Sequence, residues 1–166
     1  MNIYTPDEIA LQQRAQQQQR NRFIMRSLDI APRDRNQFAR EVEATIIDRL
    51  RETGRFVSRT TYHEHFDLLV DGLRVEVKAA ALSGGRYQAA LRSNDADVLV
   101  FVCCDGDRHH WFVIPFERVR GLTHIEIRNA DPAAYRGWMA AWRDAWHVID
   151  QYIAAGLNHW QPALPL

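Results

Sequence analysis

Lysine is almost missing from this chain. Of its 21 basic residues 20 are arginine, and the single lysine is Lys78. Arginine supplies a generic positive charge, so the bias leaves overall charge untouched. It singles out one place where a compact ammonium stands instead of a planar, permanently charged fork. Cysteine is scarce too. Cys103 and Cys104 are adjacent within an apolar run. That argues against a disulfide framework, suits a reducing cytoplasm and reads as a pair of buried strand thiols. No apolar run approaches the length of a membrane-spanning helix. The N-terminus, "MNIYTPDEIALQQ", lacks the charged and apolar regions of a signal peptide. Net charge is zero, so the total carries no electrostatic signature of nucleic-acid binding. The distribution carries a weak one. Residues 1–60 hold 11 arginines against 8 acids, and residues 61–166 hold 10 basic residues against 13 acids. There are no repeats, and the glutamine run is the only low-complexity segment.

What is present fits one domain of ordinary globular composition with an appended arm. The division expected is an arm over 1–30 and a domain over 31–166. Thr5-Pro6-Asp7-Glu8 reads as a helix start, with a capping box and proline in the first turn. That helix runs to about Arg26, polar in its middle and carrying four arginines from Arg14 onward. It is either a solvated helix or an arm that follows a phosphate backbone or a partner subunit. Asp34 then caps a second helix, with Gln37 at the capping-box position. Phe38, Val42, Ile46 and Leu50 recur every four residues, and Gly54 ends it.

Strands follow. Residues 55–62 form one, and "HFDLLV" and "LRVEVKA" flank Asp71-Gly72, a strong hairpin signal. "SGG" turns into a strand "RYQAAL". "DVLVFVCC" and "HHWFVIP" make a second hairpin around residues 105–108, and "HIEIR" is a short strand. A long final helix is expected over 132–154, ended by Gly156. The class is mixed α/β, or α+β.

The first hairpin answers why one lysine survives. A two-residue type I′ loop at Asp71-Gly72 sets the register by counting. Leu68 then faces Val75, Asp67 faces Glu76, and His65 faces Lys78. Because side chains alternate, one face carries Phe66, Leu68, Val70, Leu73, Val75 and Val77 and packs on the core. The other carries His63, His65, Asp67, Glu76 and Lys78. Two carboxylates opposed on one face sit about 5 Å apart at Cβ and destabilise the pair unless something compensates. A hard divalent cation such as Mg²⁺ compensates well, taking carboxylate oxygens and keeping waters for substrate phosphate. Lys78, two residues on, is placed to position or deprotonate a water, or to neutralise charge on a pentavalent phosphate.

Asp67 followed by Glu76-Val77-Lys78 resembles the PD-(D/E)XK nuclease superfamily: an acid on one strand and (D/E)-x-K on the next. The helix "FAREVEATIIDRLRETG" is similar to that family's first core helix, and its metal-site glutamate matches Glu43, with Glu41 the near alternative. "GGRYQAAL", "DVLVFVCC" and "WFVIP" are similar to the remaining strands of small resolvase-like and intron-encoded members. The resemblance covers roughly 34–120. Phe66 stands where the family's proline would be. The resemblance implies a restriction-endonuclease-like mixed sheet flanked by helices, in the order α-β-β-β-α-β. An extra N-terminal helix and the long C-terminal helix lie outside it. The family's middle helix is short of room at "RSNDAD" (92–97), so that crossover is a loop or lies at "FERVRG". The implied activity is Mg²⁺-dependent cleavage of DNA, with Mn²⁺ a possible substitute. Asp67, Glu76, the Val77 carbonyl and Glu43 are the implied metal ligands, and Lys78 assists the attacking water. Cutting two strands calls for two active sites, hence a homodimer or higher homo-oligomer.

Plainer readings stand beside this one. Asp67, Glu76 and Lys78 also suit a solvated hairpin face, and Glu43 also suits helix surface charge. His63-x-His65-x-Asp67 puts three donors on one strand face, a pattern that also fits a Zn²⁺ or Mn²⁺ site. His109-His110 and Gln88 read as plain strand residues. Trp138, Trp142 and Trp146 recur every four residues, as core packing, a dimer interface or stacking platforms would. The rival functions are a catalytically silent nucleic-acid- or protein-binding module on the same fold, and a structural metal protein built on the histidine face.

Overall fold

The structure is a computed structural model that describes residues 35–60, 65–92, 95–106 and 108–157. The chain divides into two compact units, Met1–Arg40 and Glu41–Leu166, and the sheet belongs wholly to the second. The expected N-terminal helix, the Asp34 cap and His63 lie outside the described residues.

The helix α1 spans Arg35–Glu52 and ends where Gly54 takes φ +81°. Its four-residue repeat works as expected, with Val42, Ile46 and Leu50 buried. Seven strands follow: β1 (Val57–Arg59), β2 (Leu68–Val70), β3 (Leu73–Ser83), β4 (Arg86–Ala90), β5 (Val98–Asp105), β6 (Arg108–Pro115) and β7 (His124–Ile127). The sheet runs β1-β2-β3-β4-β7, and β5 joins β3 and β6. Only the β3–β5 pairing is parallel, so the mixed sheet flanked by helices is as expected. Every residue of β5 from Val98 to Cys104 is buried, as a strand covered on both faces requires. Both cysteines are free and buried. Among the described residues no helix is long and apolar enough to cross a membrane.

The long strand β3 organises the domain. Its first half lies between β2 and β5, and its last two residues, Leu82 and Ser83, pair with β4. One face of β3 and its neighbours presents Ala80, Leu82, Leu99, Phe101, Cys103, Phe112 and Ile114 to a single apolar cluster. Tyr87 and Leu91 from β4 and its exit, with Ile125 and Ile127 of β7, close over that cluster. Glu76 and Lys78 share the face of Ala80, at the margin of the cluster.

The crossover from β3 to β5 contains β4 and a loop, the first of the two placements expected, with no helix among its described residues, while "FERVRG" forms only one 3₁₀ turn, Phe116–Arg118. The α-β-β-β-α-β order therefore lacks its middle helix there, and a second expectation needs correction. The helix expected over 132–154 is broken into 3₁₀ turns at Pro132–Ala134 and Trp138–Trp142 and a short α2, His147–Ala154. The reason is the edge of β6. Arg143 is extended and bridges Phe112, Asp144 N donates to the Trp111 carbonyl at 2.9 Å, and Asp144 takes φ +48°. Hydrogen bonding to an open sheet edge outweighs local helix preference there. The tryptophans therefore do not form one stripe. Trp138 is exposed, Trp142 packs on the cluster, and Trp146 stacks near Trp111 beneath Arg49.

Candidate active site

Asp71 and Gly72 both take positive φ, +48° and +84°, as a type I′ turn demands. Asp71 also ties the turn to the entry of β1, since its carboxylate accepts from Phe56 N at 3.0 Å and pairs with Arg55 at 3.1 Å. The register then runs Val70–Leu73, Leu69–Arg74 and Leu68–Val75, as counting predicts. Beyond Leu68 the count fails. Asp67 N donates to the Val75 carbonyl at 3.0 Å, the residue already opposite Leu68. The strand is therefore offset by one residue at Asp67, in the manner of a β-bulge, a feature that re-aims side chains beside active sites. Phe66 accordingly leaves the face of Leu68 and packs on the cluster containing Ala80, while His65 is exposed.

Backbone contacts hold this offset. Thr60 N donates to the Asp67 carbonyl at 3.1 Å, and its hydroxyl donates to the carbonyls of Phe66 and Asp67. On the other side Asp67 Oδ2 accepts from Val77 N at 2.7 Å. The aspartate thus meets β3 between Glu76 and Lys78. Further along, Arg74 grips Asp97 through Nε and Nη2 at 3.2 and 3.0 Å, fixing β3 to the entry of β5.

Glu76 is 6% exposed, the one buried charged side chain among the described residues. Lys78 Nζ is ion-paired with its Oε1. Burial pushes the Glu76 pKa above the usual carboxylate range; Lys78 opposes that shift, Asp67 adds to it, and Arg92 opposes it more weakly. Asp67, Glu76 and Lys78 are therefore brought together electrostatically, with the Val77 backbone between them. Sequence reading does not single out Arg92 as a charge that acts on Glu76.

Glu43, the family-matched helix glutamate, pairs with a residue of β1. It is half-buried on α1, and its carboxylate lies 3.8 Å from Arg59 Nε. Glu41 is exposed. Among the described residues no three of His, Cys, Asp and Glu form a group that could hold a metal ion. The histidine-face metal site thus has only His65 and Asp67 described, and His65 is exposed. Gln88 is exposed on β4 opposite Glu126, and His109 meets Trp111 edge-on at 5.3 Å.

No protein-family model and no curated protein matches the chain. Among solved structures it is similar to a bacterial homing endonuclease, I-Ssp6803I, at 23% identity and a TM-score of 0.61. The likeness covers 74% of this chain and 96% of that one, so the fold built around β3 is the fold of that endonuclease.

Proposed function

We propose that this protein is a metal-dependent DNA endonuclease that hydrolyses phosphodiester bonds at a PD-(D/E)XK site. One observation carries the reading. A buried glutamate is held beside a second carboxylate, with the chain's only lysine paired to it. The endonuclease fold of the similar structure supports it.

The donor set suits a hard cation such as Mg²⁺, or Mn²⁺ in its place. Two carboxylates and a backbone carbonyl offer only oxygen, and such ions bind through one or two carboxylates while keeping waters. Asp67, Glu76 and the Val77 carbonyl would hold it. When bound, the ion supplies positive charge opposite the phosphate oxygens. The chain's own residues do the rest. Burial keeps bulk water off Glu76 and holds its oxygens in one position. The bond from Val77 N fixes Asp67 Oδ2, leaving its second oxygen for a ligand. Lys78 Nζ orients the attacking water or faces the charge that builds on phosphorus. Water oxygen adds to phosphorus, one P–O ester bond breaks, and the departing alkoxide takes a proton. Two such sites in a homodimer or higher homo-oligomer would cut both strands. Two free, buried thiols suit a cytoplasmic setting.

The test is cleavage of plasmid, linear, single-stranded and branched DNA with Mg²⁺, Mn²⁺ or EDTA. The expected outcome is metal-dependent cutting that falls about 100-fold or more in Lys78→Ala. Equal cutting by that variant would remove Lys78 from the mechanism. DNA binding without cleavage in any metal would leave a silent binding module.

A further inference from the structure

Thr60 stands one residue past the end of β1, half-buried beside the residues that lead into β2. Its hydroxyl donates to the Phe66 carbonyl and, at 3.2 Å, to the Asp67 carbonyl. Its backbone N–H donates to the Asp67 carbonyl at 3.1 Å. These two carbonyls belong to the peptide planes on either side of the Asp67 Cα. Each plane is rigid, so the soft dihedrals between them are φ and ψ of Asp67. One residue that grips both planes therefore fixes the direction of the Asp67 Cα–Cβ bond. That direction matters because the strand is offset here. Asp67 N donates to the Val75 carbonyl at 3.0 Å, although Leu68 already stands opposite Val75. A residue added to a ladder takes its aim from whatever holds the bulge. The Asp67 carboxylate is aimed across to β3, where its Oδ2 accepts from Val77 N at 2.7 Å, between Glu76 and Lys78.

We infer that Thr60 is a positioning residue for metal binding: its hydroxyl fixes the Asp67 carboxylate beside Glu76, where the two can share a divalent cation. The inference rests on the metal-dependent reading above and assigns a role to a residue that acts only through Asp67. The contacts of Thr60 are to neutral backbone carbonyls, so its influence is on geometry rather than on charge. Partners that orient a ligand from outside the coordination sphere typically account for about 10- to 100-fold in metal affinity. Valine keeps the size and branching of threonine and lacks the hydroxyl. Serine keeps the hydroxyl and lacks the methyl group. The pair of substitutions therefore separates the hydrogen bonds from packing.

The experiment titrates the full chain with Mn²⁺ and follows the free ion by electron paramagnetic resonance, for wild type, Thr60→Ser, Thr60→Val and Thr60→Ala. Amide hydrogen exchange at Val77, and at Val100 across from it on β5, is measured in EDTA. Thr60→Val should bind Mn²⁺ about 10- to 100-fold more weakly than wild type, and Thr60→Ser should bind as wild type does. In Thr60→Val the Val77 amide should exchange about 2- to 10-fold faster, with Val100 unchanged. Mn²⁺ binding by Thr60→Val as tight as that of wild type would overturn the inference and leave the nuclease reading intact. Equal losses in Thr60→Ser and Thr60→Val would do the same, since the hydroxyl would not be the cause. Faster exchange at Val77 and Val100 alike would show a purely structural role and overturn the positioning one. So would unfolding of both Thr60→Val and Thr60→Ala. Failure of wild type to bind Mn²⁺ would overturn the metal-dependent reading and this inference with it.

Discussion

Glu76 keeps a carboxylate inside the sheet with a second carboxylate beside it. Burial is the larger influence and raises its pKa above the ordinary 4.5 in spite of the Lys78 partner. A raised carboxyl pKa means that the folded state holds its proton more tightly than the unfolded state. The stability this contributes is present below the unfolded pKa and is lost as pH rises through the folded one. At neutral pH and without metal, the Glu76 charge therefore costs stability. Glu76→Gln should raise the unfolding midpoint in EDTA by about 2–4 °C, equivalent to ~1 kcal/mol in a chain of this size, while abolishing cleavage. Lys78 is partly exposed and can return to water, so loss of its partner does not reverse the sign. A lowered midpoint would show that the ion pair dominates.

Three other buried acids act at the alkaline end. Burial pushes Tyr87 up to about 12 and Cys104 up to about 12, and raises Cys103 further. Their ordinary values are 10 for tyrosine and 9 for cysteine. The sign is the same, so stability is full below about pH 9 and falls as pH rises toward about 12. Denaturant midpoints followed across that range should decline in wild type. Tyr87→Phe should flatten the part above pH 10.

Single contacts decide how the elements lie. Asp97 accepts from Arg74 N, Nε and Nη2 at 2.9, 3.2 and 3.0 Å, joining the start of β3 to the entry of β5. Its removal leaves a half-buried guanidinium and a backbone N–H without that acceptor, so Asp97→Ala should cost about 1–3 kcal/mol in chemical denaturation. Asp144 holds φ +48° where the chain turns off the edge of β6. Glycine adopts that conformation without a Cβ penalty. Asp144→Gly should leave stability within about 1 kcal/mol of wild type, and Asp144→Val should lower it by more. The α1 repeat and the Asp71-Gly72 hairpin were legible because their signals are local: a four-residue period and two residues suited to positive φ. The segment 132–154 was not. Its sequence carries helix-like periodicity, but the open edge of β6 lies far away in sequence, and only folding brings Phe112 to Arg143. The offset at Asp67 was hidden for the same kind of reason, since Thr60, just past the end of β1, holds it.

At the scale of the whole molecule, zero net charge means that the proposed DNA binding depends on local placement of charge. Arg86, Arg92 and Arg128 lie on or beside one face of the β4–β7 pair, and Glu126 offsets part of that charge. On the nuclease reading, two phosphate contacts per protomer would weaken DNA binding about 10-fold between about 50 and 200 mM salt. A mobility-shift titration with Lys78→Ala checks this without cleavage, and a flat salt response would count against phosphate contacts. Sedimentation of the DNA-bound protein should give at least two copies per duplex if both strands are cut in one encounter.

The sequence by itself determined the mixed α/β class, the apolar stripe of α1, the two-residue turn of the β2–β3 hairpin, the β5–β6 hairpin, and the nearness of Asp67 to Glu76 and Lys78 around the first of these. Each follows from spacing within a few tens of residues, where periodicity and turn chemistry leave little choice. Tertiary structure alone decided that Glu76 is buried, that Asp67 is turned toward Val77 N and that Glu43 is paired with Arg59. It also decided that β4 and β7 meet as a ribbon with one polar face. Those features depend on which surfaces cover which, and coverage is set by the packing of the whole chain rather than by any stretch of it.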